Sequence, residues 1–521
     1  LKSVVYYQKF SITIPGIITG GKEDTRYTSL AAFIPIYSCC VLFTLIQGGF
    51  CMAVAEKEPR QGYLTGWTLK QGGIIAPDER LPWGETILVG LQHVLAMFGS
   101  TVLAPIIMGF DPNTAIFFSG IGTLIFFFVV GGRVPSYLGS SFSFIAVILT
   151  ATHYAGTGPN PNLGVALGGI IAAGVVYGII ALIVMLAGYR WIEILMPPVV
   201  TGAVVMAIGL NLAPVAIADS SGSWFNGWMA IITVLATAAV AVYAPGSLRR
   251  LPILLGGIIG YIINLICGAL GLGPKIDFTG LANAPWIGLP HFTAPTFTGN
   301  AMVLIAPVAV ILVAENTGHV KAVAAMTGRN LDKYLGRSFL GDAIATIVAG
   351  FGGGTGVTTY AENIGVMAVT RIYSTLIFII AAIVAILLGF CPKFGALIAT
   401  LPNGAPGVLG GLAVVLFGLI AATGGRIWVE NKVDFSKGRN LITAAVALTV
   451  GAGMVGNSGL VIGGFTIGGI GVATFGSIIL YQLLRERNPQ PEEAVEADAA
   501  VFAPKSDEPS TDSPSSEKEA L

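Results

Sequence analysis

The sequence predicts an all-α polytopic membrane protein of 14 transmembrane segments in a 7+7 inverted repeat, and three observations carry that expectation. The first is composition: 54% of the residues are hydrophobic and only 10% charged, where about a quarter of a soluble domain is charged. The mean hydropathy is correspondingly high, at +0.81. The second is a succession of apolar stretches close to the roughly 20 residues a helix needs to cross a bilayer. The third is the confinement of Lys and Arg almost wholly to alternate connections between those stretches.

In order, the apolar segments run 84–107, 114–131, 137–151, 163–188, 196–216, 225–244 and 252–272 in the first half. The second half continues with 299–320, 337–351, 357–370, 373–390, 405–424, 440–457 and 464–484. The third and tenth segments are short and crowded with Gly, Ser, Thr and Pro, as in VPSYLGSSFSF at 134–144 and GGGTGVTTYAEN at 352–363. Non-helical backbone is tolerated at membrane depth only where protein buries it or it lines a cavity, so an internal site is expected there. The first and eighth segments each place polar side chains within a crossing, QHVLAMFG at 92–99 and AENTGHV at 314–320.

If the first span starts in the cytoplasm, the cytoplasmic connections hold 15 basic residues, from Arg133 and Arg190 to Arg485 and Arg487. The opposite side holds Lys275 and Lys393. That bias fits the rule that cytoplasmic loops are Lys- and Arg-rich. Because seven is odd, repeats over 81–275 and 298–487 run in opposite orientations, and short Gly-rich segments at matching places in two such halves point to a site near the midplane. Residues 1–80 read as an N-terminal extension with a possible extra helix at 28–54. Residues 488–521, rich in Pro, Glu, Asp and Ser, read as a disordered cytoplasmic tail. Cys39, Cys40, Cys51, Cys267 and Cys391 show no paired spacing and read as small hydrophobes.

Two acids stand out, Glu315 in AENTGH (314–319) and Glu362 in AENIG (361–365). Glu315 and His319 are four apart and share a helix face. Removing a carboxyl from water disfavours its charged form, so proton exchange belongs to the expected chemistry. A carboxylate accepts ring N–H groups, while unpaired amides at broken helix ends take carbonyl oxygens. That combination suits a small, flat, neutral molecule with alternating N–H and C=O, and Phe142 and Tyr360 could wall it. Plainer readings stand beside this one. Buried glutamates also tie helices together, and His319 could cap its helix above the Lys321 cluster. Of the adjacent Gln92 and His93, which do not share a face, one is structural. Phe142 alone reads as packing, and Asp342 as an acid near a helix start. No metal-ligand cluster and no nucleophile–base pair is evident, so neither a metal nor an enzyme is expected. An anion carrier would need buried cations in the broken segments, and they hold none.

The motifs LQHVLAMFGSTVLAP, GGRVPSYLGSSFSFI, MPPVVTGAVVMAIGLNLAP, LVAENTGHVKAVA and TTYAENIGVMAVTRIYS are long and specific. From about Gly72 to Arg487 the chain resembles the nucleobase:cation symporter-2 family, also called nucleobase/ascorbate transporters, in its uracil permease branch. The resemblance implies a core domain, 84–188 plus 299–390, moving against a gate domain, 196–272 plus 405–484, with short antiparallel strands in segments 3 and 10. It implies that Glu315 and Glu362 bind the nucleobase, that His319 joins them in the proton path, and that Phe142 lies beside the base. Ser100 and Tyr360, the latter through its backbone, match substrate-adjacent positions, with Gln92 and Asn363 in support. Two departures are Ala361, where the uracil permease has Gly, and Phe417, where it has tyrosine; both bear on substrate range. Glu362 stands where xanthine and urate members usually have glutamine, which favours uracil-like substrates. The implied function is proton-coupled uptake of uracil or a related pyrimidine across the inner (cytoplasmic) membrane by alternating access. Xanthine, purine or broad nucleobase symport is the alternative, and an anion transporter or channel of the same fold a further one. The implied partners are the nucleobase, protons, the lipid bilayer and a second copy joined through the gate domains, with no cofactor and no nucleic acid.

Overall fold

The structure is a computed structural model that describes residues 63–485 apart from 65, 155–157, 246–247, 250, 456–458 and 463–464. The expected extra helix at 28–54 and tail at 488–521 lie outside the described residues. The described chain opens with two short parallel strands, β1 (Thr68–Leu69) and β2 (Glu79–Arg80). It then runs into α1 (Trp83–Met108), α2 (Pro112–Val129), β3 (Leu138–Ser140), a 3-10 turn over Phe142–Phe144, α3 (Ile145–Thr152) and α4 (Leu163–Ala187). Next come α5 (Arg190–Leu195), α6 (Pro198–Ser221), α7 (Trp224–Tyr243), α8 (Pro252–Ala269) and α9 (Thr279–Asn283). The second half continues with α10 (Gly299–Ile305), α11 (Val308–Thr327), α12 (Leu335–Gly352), β4 (Val357–Thr359), α13 (Ala361–Thr370), α14 (Thr375–Gly389) and α15 (Pro392–Gly404). It closes with α16 (Pro406–Glu430), α17 (Gly438–Gly453), the hairpin of β5 (Gly459–Ile462) and β6 (Phe465–Gly468), and α18 (Gly469–Leu483).

Local chemistry sets the boundaries. Asp111 caps α2 by accepting from Asn113 N at 3.3 Å and Thr114 N at 3.1 Å, with Pro112 at the first helical position. Ser223 caps α7 through Asn226 N at 3.1 Å. Among the described residues eight helical spans, with α10 and α11 counted as one, are long and apolar enough to cross a membrane, or nine if α14 and α15, bent by 81° at their junction, form one span. That falls short of the 14 expected segments: α12, with 18 residues, is not among these spans, and α3, α13, α17 and α18 are short. A helix of about 18 residues is only about 27 Å long, near the hydrocarbon thickness. The α15 helix was not anticipated, because Pro392 and Pro402 obscure its pattern.

The helices pack in two groups. In one, α12 lies along α4 and α2, and α14 along α2 and α1; in the other, α16 lies along α6 and α7, α7 along α8, and α17 along α6 and α18. The close α6–α16 pairing depends on small residues, since a Cβ on Gly209 would lie 2.4 Å from the Phe417 carbonyl oxygen.

The two broken segments meet. β3 pairs antiparallel with β4, with Leu138 opposite Thr359, Gly139 opposite Thr358 and Ser140 opposite Val357. Two threonines close the ribbon's outer edges. Thr123 of α2 accepts from Leu138 N at 2.9 Å, and Thr346 of α12 accepts from Val357 N at 3.2 Å and donates to Val357 O at 3.1 Å. Without them, strand edges would leave polar backbone groups unpaired far from water. The segment holding β3 and α3 traverses the bundle, because Asn160 N returns to Gly109 O at 2.9 Å, at the end where α1 stopped. β4 and α13 travel the opposite way, since Arg371 O, just past α13, accepts from Ile75 N at 3.0 Å beside the strap β1–β2.

The charged loops sort by end. On the strap side Arg329 pairs with Asp78 at 2.6 Å, Lys321 pairs with Glu193, and Tyr189 donates to Asp332 at 2.9 Å. At the other end Lys393 N donates to Pro285 O at 3.0 Å, and its ammonium lies 5.0 Å from the Trp286 ring centroid.

Candidate functional site

The site is assembled from α1, α11, α13, the β3–β4 ribbon and α16. Each strand of the ribbon feeds a helix: Ser140 leads through Ser141 into the Phe142–Phe144 turn and α3, and Thr359 leads through Tyr360 into α13. Because the strands are antiparallel, two helix N-termini, with unpaired amides and the positive end of the dipole, begin at opposite ends of one short ribbon. Ser141 spends its side chain on one of them, accepting from Ser143 N at 3.3 Å.

Glu362 sits in the first turn of α13 and accepts a hydrogen bond from Ser100 of α1. Glu315 projects from α11, where Ser143 Oγ reaches its Oε2 at 3.5 Å. His319, one turn along, is joined through Nδ1 to Thr359 Oγ1 at 2.8 Å. It therefore ties α11 to β4 rather than capping a helix that continues to Thr327. Glu315, Glu362 and His319 keep accessible surface and Ala361 is exposed. Phe142 meets the edge of Phe417 from α16, with ring centroids 6.2 Å apart and planes at 78°, so the turn after β3 packs against a helix of the second group.

Tyr360 does not form an aromatic lid. Its hydroxyl donates to Ser140 O at 2.9 Å and accepts from Thr101 at 3.2 Å, while its amide donates to Tyr137 O at 3.0 Å. Its ring fills the space over Gly139, where a Cβ would lie 2.4 Å from the ring. Both its side chain and its N–H are thus engaged in holding the ribbon. Of the α1 pair, His93 is the structural member, fully buried against Phe378 at 4.7 Å, with Asn363 Nδ2 contacting its Nδ1 and carbonyl, each at 3.0 Å. Gln92 is half-buried and its Nε2 has no protein partner. Asp342 is not a capping acid: it lies within α12, fully buried, and accepts from Asn316 at 2.5 Å. Ser143 and Thr359 went unnoticed in the sequence. Their signal was the hydroxyl-rich composition of SSFSF and TTYAEN, which points to many positions at once. Among the described residues no group of three or more His, Cys, Asp or Glu side chains is arranged to hold a metal.

Residues 84–458 match the model of the family named Xan_ur_permease, described as a permease family. A protein of Escherichia coli (strain K12) named as the pyrimidine permease RutG is 59% identical over 426 residues, 81% of this chain and 95% of that one. The uracil permease of Bacillus caldolyticus is 40% identical over 390 residues, 72% of this chain and 87% of its own length. Among solved structures, the transmembrane domain of the cyanobacterial bicarbonate transporter BicA superposes with a TM-score of 0.51 at 16% identity, covering 76% of this chain and 97% of that one, which shows a shared fold. The chain therefore belongs to the permease family whose motifs it carries, the nucleobase:cation symporter-2 family, and is a multi-pass membrane transporter rather than an enzyme.

Proposed function

We propose that the protein takes up uracil or a closely related pyrimidine nucleobase across the cytoplasmic membrane, with protons, by alternating access. The observation that carries this reading is the placement of Glu315 and Glu362, each beside a serine hydroxyl, at the ribbon where two helices begin. A pyrimidine ring presents N–H donors and C=O acceptors around one plane. The carboxylates accept the ring N–H groups, and the first-turn amides of α13 donate to a carbonyl oxygen. Phe142 and Phe417 bracket the ring's faces and edge, and Ala361 and Phe417 tune which base fits. Gln92 offers a further amide, and Asn363 fixes α13 against α1. Two such acids repel an anionic substrate, which speaks against anion transport by this member of the fold.

The proton joins the base at the site, and Glu315, His319 and Glu362 carry it. The segment order supports 14 crossings in a 7+7 inverted repeat, since both broken segments run from one end of the bundle to the other. The threonine that closes each ribbon edge comes from the helix immediately preceding that strand. On this reading the group containing α1–α4 and α10–α14 is the core, which moves against a gate containing α6–α8 and α16–α18. Two copies associate through their gates.

Titration calorimetry of the purified protein with uracil, thymine, xanthine, hypoxanthine and urate tests the substrate. Uracil or thymine binding most tightly is expected, and preference for xanthine or urate would overturn the assignment. In proteoliposomes, uracil addition should drive proton influx; uptake with no proton movement and no dependence on a proton gradient would remove the coupling.

A further inference from the structure

The helix that carries Glu362 is short and packed on one flank. α13 has ten residues, about 15 Å of rise. Asn363, Val366 and Met367 are buried, whereas Ala361, Gly365, Ala368 and Val369 are exposed. β4 fixes the start of α13, so whatever fixes its far end decides the aim of the carboxyl. That end meets the strap of β1 and β2. Arg371, the residue after α13, is left-handed at φ 56°, a conformation that a residue with a side chain keeps only where its surroundings over-determine it. Ile75 supplies those surroundings. Its N–H donates to Arg371 O at 3.0 Å and its carbonyl accepts from Tyr373 N at 2.8 Å, so Ile75 and Ile372 form one bridge of a parallel pair. Two residues on, Pro77 O accepts from Thr375 N and from Thr375 Oγ1, each at 3.1 Å, and Trp67 Nε1 donates to the same hydroxyl at 2.9 Å. The strap is anchored in turn to α2, through Trp67 stacked on Phe127 at 6.0 Å, and to the turn after α11, through Asp78 and Arg329 at 2.6 Å. Each of these partners lies in the helix group that holds Glu315 and Glu362. A matching tie stands at the opposite end of the bundle: Thr296, shortly before α10, donates to Gly164 O at 2.8 Å, at the start of the helix that follows the first broken segment.

We propose that the strap over residues 67–80 is a positioning element of the transport site: it fixes the far end of α13 and travels with that helix through the cycle, so Glu362 keeps its aim while the two helix groups move past each other. Thr375 is the positioning residue through which it acts, because one buried hydroxyl joins Trp67, Pro77 and the start of α14. The other use for such a strap is a door that parts from the α13–α14 connection. Fully buried Ile75 speaks against a door, since parting would break both of its backbone hydrogen bonds and expose its side chain. The assignment rests on Glu362 binding the nucleobase.

The test uses the full-length protein. With the five native cysteines replaced, Ile75→Cys/Ile372→Cys sets two thiols at directly opposed positions, where the spacing of neighbouring strands lies within the Cα separation a disulfide spans. After oxidation, uracil uptake in proteoliposomes should stay within about twofold of that in the reduced sample, as expected of a contact kept throughout the cycle. A larger loss that reduction reverses, or failure of the pair to cross-link, would overturn the proposal. The positioning role is read by titration calorimetry, which separates affinity from the number of competent sites. Thr375→Val should weaken uracil binding roughly fivefold, the share of one ordinary hydrogen bond, and Thr375→Ser should restore it. Fewer competent sites at unchanged affinity in Thr375→Val would mark a purely structural threonine and overturn the role. Should Thr375→Val fail to fold, Trp67→Phe, which keeps the ring stack and removes the N–H, takes its place with the same expected and overturning results. Glu362→Gln is measured alongside: affinity that falls there but not in Thr375→Val removes the strap alone, whereas unchanged affinity in Glu362→Gln removes the reading of Glu362 on which the strap depends.

Discussion

At the scale of single residues, the two acids differ in how they are held, and their replacement should report that difference. Glu362 lies in the first turn of a helix, where a negative charge is favoured by the dipole, and Ser100 donates to one of its oxygens. Glu315 lies inside α11 and, among the described residues, its side chain has only the long contact with Ser143. Each Glu→Gln change keeps shape but replaces a charged acceptor, so uracil affinity measured by calorimetry should fall roughly tenfold to a hundredfold, the range for hydrogen bonds to charged groups. Ser100→Ala should cost only about fivefold, that of one ordinary hydrogen bond. Wild-type affinity in Glu315→Gln or Glu362→Gln would remove that residue from the site. Gly139 carries a different burden. The Tyr360 ring occupies the place of a side chain there, so Gly139→Ala should overpack the ribbon and destabilise the protein by about 1–3 kcal/mol, read as a lower melting temperature in detergent. An unchanged melting temperature would mean that Tyr360 is free to move aside. These acids were legible in the sequence because charge inside an apolar run is conspicuous. The spent hydroxyl and amide of Tyr360 were not, because the same side chain serves equally as a lid or as packing until its partners are known.

At the scale of elements, the ribbon is the feature whose stability is hardest to obtain in a membrane. Each strand has three residues, and in a two-stranded ladder half of the backbone groups face outward. Thr123 and Thr346 supply the missing partners from helices on either flank. Replacing either with Val keeps the volume and strands a buried amide, a penalty of about 1–3 kcal/mol. Thr346→Val should be the more damaging, because Thr346 serves both the amide and the carbonyl of Val357 at 3.2 and 3.1 Å, whereas the Thr123 hydroxyl donates chiefly to Ser119 O at 2.8 Å in its own helix and reaches Leu138 O only at 3.4 Å. Thr346→Ser should restore most of the loss in melting temperature. Equal melting temperatures for Thr346→Val and wild type would show that the ribbon does not depend on that contact. The sequence announced that these two segments could not be continuous helices, since Gly, Ser, Thr and Pro crowd them. Their local pattern did not announce that they pair with each other, and only the family resemblance implied antiparallel strands there, because strand pairing links positions more than 200 residues apart, Ser140 with Val357 among them, and no local pattern encodes a partner. For the same reason α15 escaped notice: Pro402 within it reads as a break, yet here it lies in a helix that follows an 81° bend.

At the scale of the whole molecule, what decides the topology is whether each broken segment counts as a crossing. If either were a surface excursion, every later loop would change sides, and the basic residues would no longer gather at one end. Contacts argue for two crossings: Asn160 reaches Gly109 at the end opposite the strap, while Arg371 meets Ile75 on the strap side. Helix length alone could not have given this answer, because α3 and α13 each fall short of a membrane thickness and rely on a strand for the remainder. Sided chemistry tests it directly. With Cys39, Cys40, Cys51, Cys267 and Cys391 replaced by serine or alanine, single cysteines are placed at the exposed positions Arg190, Lys437, Asn162 and Lys275. A membrane-impermeant maleimide added to intact cells should label only positions 162 and 275, and all four after permeabilisation. Asn162 follows the first broken segment, so its labelling from outside requires that segment to cross. Labelling of Asn162 only after permeabilisation, or of Arg190 in intact cells, would break the alternation and with it the inverted relation of the two halves. The same outcome would detach the ribbon from the midplane, since two helices can begin at one shared strand pair within the bilayer only if their segments enter from opposite sides.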